Sequence, residues 1–125
     1  MKSVLIVDDS KAMRLIVRRS LRQAGFAELQ VDEATNGKEG LEMILKAPPH
    51  LVLSDWNMPE MTGIELLTEL RNQQNGVRFG FVTTEATPEM RERATAQGAL
   101  FLIAKPFTPE DLAKALDPFL GSGST

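Results

Sequence analysis

The chain has 125 residues, the size of one domain at roughly 150 residues per domain. It carries 14 Lys and Arg against 17 Asp and Glu, a formal net charge of −3, so no basic excess is present to hold nucleic acid or an anionic membrane by charge alone. With no Cys and a single His, it excludes disulfides, cysteine nucleophiles and His-clustered zinc sites.

In chain order, short apolar runs alternate with longer amphipathic segments. Val4–Val7 predicts the first strand and closes on Asp8-Asp9. This run is shorter than the about 7–15 apolar residues of a signal-peptide core or the about 20 of a membrane helix, so a cytoplasmic protein is expected. A helix follows from about Lys11 to Ala24, with Ser10 as N-cap, Gly25 at its end and an apolar stripe of Met13, Ile16, Val17 and Leu21. Arg14, Arg18, Arg19 and Arg22 share that helix, either as a solvated face or as a docking surface for an acidic partner. Leu29–Val31 predicts the second strand. Asn36 and Glu39 then resemble a capping box before Leu41, Ile44 and Leu45, and Pro48-Pro49 stops that helix.

His50, an expected exposed loop residue, precedes the third strand, Leu51–Leu53, which runs into Asp55. Trp56 beside it is either a half-exposed rim residue or an optical reporter of metal binding; Met58 and Met61 are expected to pack rather than to ligate. Thr62 and Glu65 form a second capping box ahead of Leu66, Leu67 and Leu70, with Asn75-Gly76 as the exit turn. The fourth strand, Phe79–Val82, ends in Thr83-Thr84 and contains Gly80, a misfit explicable only by close packing. Thr87-Pro88 opens the fourth helix and Gly98 ends it. Leu100–Ala104 predicts the fifth strand, ending in Lys105-Pro106, and Thr108-Pro109 opens a last helix that Pro118 should end early. Gly121–Thr125 is expected to be a flexible tail.

Five strands alternating strictly with five helices predict a doubly wound α/β domain with a parallel sheet and right-handed crossovers. Such sheets bind ligands beyond the carboxyl ends of their strands. Asp8, Asp9, Asp55, Thr83 and Lys105 all fall there. Two like charges about 4 Å apart cost on the order of 4 kcal/mol at an effective dielectric near 20. Two or three such pairs rival the stability of a whole domain, about 5–15 kcal/mol. One lysine cannot offset that, whereas a hard divalent cation can. A carboxylate beside such a cation, an ammonium and a hydroxyl suits phosphoryl transfer through an aspartyl-phosphate.

At this point four segments carry a resemblance: VLIVDDS at 4–10, LVLSDWNMPEMTGIELL at 51–67, FVTTE at 81–85 and LIAKPF at 102–107. Together they resemble the receiver domain of two-component response regulators, above all the stand-alone chemotaxis regulators, through Asp55-Trp56-Asn57-Met58-Pro59. The resemblance implies a flavodoxin-like, CheY-like fold with strand order 2-1-3-4-5, of which the chemotaxis regulators are themselves a type case. It implies a receiver domain over 1–120, with Asp55 as phosphoacceptor, Asp8 and Asp9 as the acidic metal pair, and the Asn57 carbonyl as a further ligand for Mg²⁺ (or Mn²⁺). Thr83 matches the switch hydroxyl and Lys105 the phosphoryl-binding lysine, with Lys105-Pro106 expected cis. Asn57 and Glu85 fall where the family tunes loss of the phosphoryl group by hydrolysis.

The expected partners are a histidine kinase or histidine phosphotransfer protein, and an output protein on the face of the fourth helix, fifth strand and fifth helix. Neither nucleic acid nor membrane is expected as a partner of this domain. The function implied is that of a phosphoacceptor in chemotaxis rather than of an enzyme. One departure stands out: the family usually places Tyr or Phe three residues before the lysine, and here that position is Leu102. Phe101 points to the other face by strand alternation, and Thr84 is bulkier than the family's usual small residue. The alternatives are a receiver cut from a longer regulator and a phosphohydrolase with an aspartyl-phosphate intermediate. The phosphohydrolase usually has a second acid where Asn57 stands. A flavodoxin-like electron carrier would need a phosphate loop where Asp8-Asp9 would repel the phosphate.

Overall fold

The computed structural model describes residues 2–120, and the expected tail at 121–125 lies outside them. The elements are β1 (Ser3–Val7), α1 (Lys11–Gln23), β2 (Gln30–Ala34), α2 (Gly37–Lys46) and β3 (Leu51–Ser54), then α3 (Gly63–Asn72), β4 (Phe79–Thr83), α4 (Pro88–Ala96), β5 (Leu102–Ala104) and α5 (Pro109–Leu120). All strand pairs are parallel, in the order β2-β1-β3-β4-β5, as the resemblance implied.

Strand alternation sorts the core into two layers. Leu5, Val7, Val52, Phe79 and Phe81 point to one face, where Ile44 of α2 and Leu66, Leu67 and Leu70 of α3 cover them. Val4, Ile6, Leu51, Leu53, Val82 and Ile103 point to the other, against Val17 and Leu21 of α1 and Leu112, Leu116 and Leu120 of α5. Burial on both faces explains why β1, β3 and β4 read as continuous apolar runs. Truncating any of the three buried α3 leucines to Ala is worth about 2–5 kcal/mol.

The helix starts follow the expected side chains. Ser10 accepts from the Met13 N–H, Thr62 and Glu65 form a complete capping box, and Thr87 accepts from the Met90 N–H ahead of Pro88. Thr108 and Asp111 exchange reciprocal bonds at 3.0 Å. The box before α2 is shifted by one residue: Asn36 accepts from the Glu39 N–H, but Glu39 reaches back to the Thr35 N–H.

Five sequence expectations are corrected. β2 runs on to Ala34, three residues past its apolar run and through Asp32 and Glu33, because it is an edge strand whose pairing with β1 supplies the backbone bonds. β5 starts at Leu102 rather than Leu100, which lies outside the strand and is exposed. Ile16 does not join the buried stripe of α1; it is 45% exposed beside Leu15 at 53%. Leu45 is likewise exposed on α2. Pro118 does not end α5, which continues to Leu120. The bond Pro118 cannot make would have gone to exposed Lys114, while Leu116 and Leu120 are anchored in the core and the Lys2 ammonium donates to the Leu120 carbonyl at 2.6 Å.

The Gly80 misfit has a physical cause. A side chain there would occupy the ring of Phe101, the residue just before β5. That ring lies across the bare backbone of β4, on the α5 side, with Phe119 at 6.4 Å between centroids.

Candidate functional site

The sheet brings its C-terminal strand ends to one rim. Asp8 and Asp9 follow β1 and Asp55 follows β3, and one carboxylate oxygen from each lies within 4.8 Å of the others. Lys105, next after β5, reaches back over the sheet: its ammonium is 3.2 Å from Asp8 Oδ2 and 3.7 Å from Asp55 Oδ2. The Lys105 N–H donates to the Thr83 carbonyl at 2.7 Å, which ties the lysine to the end of β4, and the Lys105–Pro106 peptide is cis as expected.

Each group is held by its local chain. Asp8 is 4% exposed; its N–H donates to Ala34 and its Oδ1 accepts from the Ser10 N–H at 2.9 Å. Asp55 sits where its N–H still donates to Val7 of β1, and its Oδ1 accepts from the Trp56 N–H at 2.7 Å. The buried Ser54 hydroxyl donates to the Asp55 carbonyl at 2.8 Å. Gly63, first residue of α3, packs so closely under that carbonyl that any Cβ would overlap it. Asp9 is exposed, and its carboxylate accepts no hydrogen bond among the described residues.

Burial pushes the Asp55 carboxyl above the usual carboxylate range. Lys105 and the Trp56 N–H pull it down, and Asp8 and Asp9 push it further up. Three carboxylates against one ammonium leave the rim short of positive charge. Hard oxygen donors converging without sulfur or imidazole suit Mg²⁺ or Mn²⁺, so these residues fit a divalent cation.

The Thr83 side chain is fully buried, and its oxygen accepts from the Glu85 N–H at 3.3 Å, which leaves the hydroxyl proton free to donate. Glu85 and Asn57 are exposed on the rim, and so is Thr84. Leu102 points to the α4 face and Phe101 to the α5 face, as alternation required. Beside Leu102 a groove of about 200 Å³ opens between α4 and β5, bordered by Arg91, Ala94 and Leu100.

Trp56 is not a half-exposed rim residue; it is 6% exposed, packed on Phe81 at 4.8 Å between centroids and roofed by the Arg93 guanidinium at 5.6 Å from its ring. Met58 is buried and Met61 packs against the same core, as read. His50 is exposed, though its Nδ1 accepts from the Ser3 N–H at 3.0 Å.

The arginines of α1 divide. Arg19 and Arg22 are exposed, whereas Arg14 and Arg18 both bind Glu33 of β2, and Arg14 also donates to the Asp8 carbonyl at 2.7 Å. Burial raises the Glu33 pKa, but the hydrogen bonds and charges of the two arginines together outweigh it and hold it below its ordinary value. Sequence reasoning missed Glu33. The available signal was the i, i+4 spacing of Arg14 and Arg18 beside an acid near the end of the strand that neighbours β1.

Residues 4–117 match the family described as the response regulator receiver domain. A probable chemotaxis protein CheY of Rhizobium etli is 37% identical over 121 residues, covering 95% of this chain and 92% of that protein. Chemotaxis protein CheY-3 of Vibrio cholerae is 40% identical over 116 residues, covering 91% of this chain and 88% of that protein. Among solved structures, the chemotaxis protein CheY4 of Vibrio cholerae superposes with a TM-score of 0.84 at 38% identity, covering 96% of this chain and 99% of that one.

Proposed function

The chain belongs to the response regulator receiver domains, and from that premise we propose that it is the phosphoacceptor of a two-component system acting in chemotaxis. The observation that carries the reading is the convergence of Asp8, Asp9 and Asp55 on one rim with Lys105 bridging two of them.

In this reading Asp55 is the nucleophile. An oxygen of its carboxylate attacks phosphorus in a phosphohistidine presented by a kinase or phosphotransfer protein. The new O–P bond forms as the P–N bond breaks, and the imidazole leaves with that electron pair and takes up a proton. Asp8, Asp9, Asp55 and the Asn57 carbonyl would hold Mg²⁺. The bound ion would neutralise charge on the transferring oxygens.

The Lys105 ammonium, already between Asp8 and Asp55, is placed to pair with the arriving phosphoryl group. The Thr83 hydroxyl can donate to it, drawing the end of β4 and the Glu85 turn inward. Asn57 and Glu85 flank the approach for water and so set the lifetime of the acyl phosphate. The protein binds its output partner through α4, β5 and α5, and works in the cytoplasm. No helix among the described residues is long and apolar enough to cross a membrane.

The test is to incubate the protein with Mg²⁺ and a small acyl-phosphate or phosphoramidate donor and to measure its intact mass. One added phosphoryl group is expected, absent without Mg²⁺ and absent in Asp55→Asn. A phosphoryl group surviving in Asp55→Asn would overturn the reading.

A further inference from the structure

Two of the three rim carboxylates, Asp8 and Asp9, arrive on a single peptide unit. Asp8 is tethered by its own side chain to the Ser10 N–H and the Lys105 ammonium. Asp9 has no such tether among the described residues, so its carboxylate is aimed by the backbone alone. The orientation of the Asp8–Asp9 peptide plane therefore decides where Asp9 points.

That plane is gripped from outside the rim. Arg14 Nη1 donates to the Asp8 carbonyl at 2.7 Å, and its Nε donates to Glu33 Oε1 at 2.7 Å. Its side chain is only 11% exposed, so the fork is packed in place. Glu33 stands opposite Ile6 in the β1–β2 register. Its second oxygen is taken by Arg18 Nε, and Arg18 Nη2 donates to the Val31 carbonyl at 2.9 Å. The chain Val31–Arg18–Glu33–Arg14–Asp8 thus runs from the edge strand to the peptide that carries Asp9.

We propose that Arg14 is a positioning residue for divalent-cation binding, locking the Asp8–Asp9 peptide through its carbonyl while Glu33 and Arg18 hold its guanidinium. The proposal rests on the reading of the acidic rim as a cation site. Charge and position make opposite demands here. Removing a positive charge close to a cation site should tighten binding on electrostatic grounds. Losing a partner that orients a metal ligand typically weakens binding by 10–100-fold. The sign of the change therefore separates the two roles.

The experiment titrates Mg²⁺ calorimetrically into the metal-free full chain and into Arg14→Ala, Arg14→Lys and Glu33→Gln at one ionic strength. Arg14→Ala is expected to weaken Mg²⁺ binding about tenfold or more. Arg14→Lys should weaken it comparably, because an ammonium has no fork to span Glu33 and the Asp8 carbonyl. Glu33→Gln should weaken it less, in the same direction. In the metal-free state the Asp9 backbone amide resonance should shift in Arg14→Lys.

Binding unchanged or tightened in Arg14→Ala, or an unmoved Asp9 amide in Arg14→Lys, overturns the proposal. Should Arg14→Ala fail to fold, Arg14→Lys and Glu33→Gln decide it by the same signs. A parent protein that takes up no Mg²⁺ overturns the reading of the rim itself; a parent that binds Mg²⁺ with Arg14 indifferent overturns only the positioning role.

Discussion

On the β1–β3 side of the rim, Asp8 is held at its N–H, its carbonyl and both carboxylate oxygens, and Asp55 is fastened through its N–H, carbonyl and Oδ1. On the α4 side, one residue of the helix, Ala94, is buried, and a groove separates that helix from β5. Arg93 lies on the Trp56 ring, and Arg91 reaches the Leu102 carbonyl at 3.2 Å. Fixed groups are what a charge-transfer step needs, because reorganisation during the reaction is costly. Switching elements instead come from the least stable part of a fold, where a small free energy can move them. The contrast sets the tightly fastened Asp8 and Asp55 against a loosely packed α4 on the same sheet.

The largest expected effect comes from crowding the fixed side. Gly63→Ala should cost roughly 3 kcal/mol in urea denaturation, because the obstacle is the Asp55 backbone carbonyl, which cannot swing away. Ala94→Gly on the loose side should cost about 1 kcal/mol, the ordinary glycine penalty in a helix. Equal losses at the two sites would break the comparison.

A second effect reads the charge stored at the rim. The folded pKa of Asp55 lies above its unfolded value, so the folded state holds that proton more readily than the unfolded chain does. Ionising Asp55 therefore lowers stability as pH rises through the carboxylate range, and the penalty disappears at acid pH. Metal-free Asp55→Asn should melt above the parent at neutral pH, with the gain fading as pH falls through that range. A gain that grew toward acid pH would contradict the burial argument.

The smallest effect is expected at α4. Arg93→Ala should cost at most about 1 kcal/mol and alter Trp56 emission while leaving Mg²⁺ affinity within about twofold, since the pair is a partly exposed cation–π contact. A tenfold loss of Mg²⁺ affinity would mean that the two flanks act as one unit.

The rim was legible because Asp8, Asp9, Asp55, Thr83 and Lys105 each interrupt an apolar run, and a parallel sheet sends all such interruptions to one end. What stayed hidden depends on contacts between distant segments. Burial of Trp56 needs both Phe81 and Arg93, and neither is near it in sequence. The Glu33 clamp depends on β2 lying beside β1, so the spacing of Arg14 and Arg18 was visible in the sequence but their shared partner was not. Pro118 was misjudged because local propensity knows nothing of Leu116 and Leu120 pulling the last turn into the core.

The outer strands of the sheet carry one more consequence. An open parallel sheet ends in two rows of unpaired backbone groups, each a template on which another chain could add a strand. At one border, β2 leaves Gln30 and Asp32 exposed while Glu33 is held by Arg14 and Arg18, so a strand docking there would have to cover a carboxylate that no cation pairs among the described residues. At the other, β5 is three residues long and meets Pro106 two residues past its end, leaving too short a ledge for stable addition. Both borders thus resist self-association into extended sheets, and the flanks that remain open for recognition are helical.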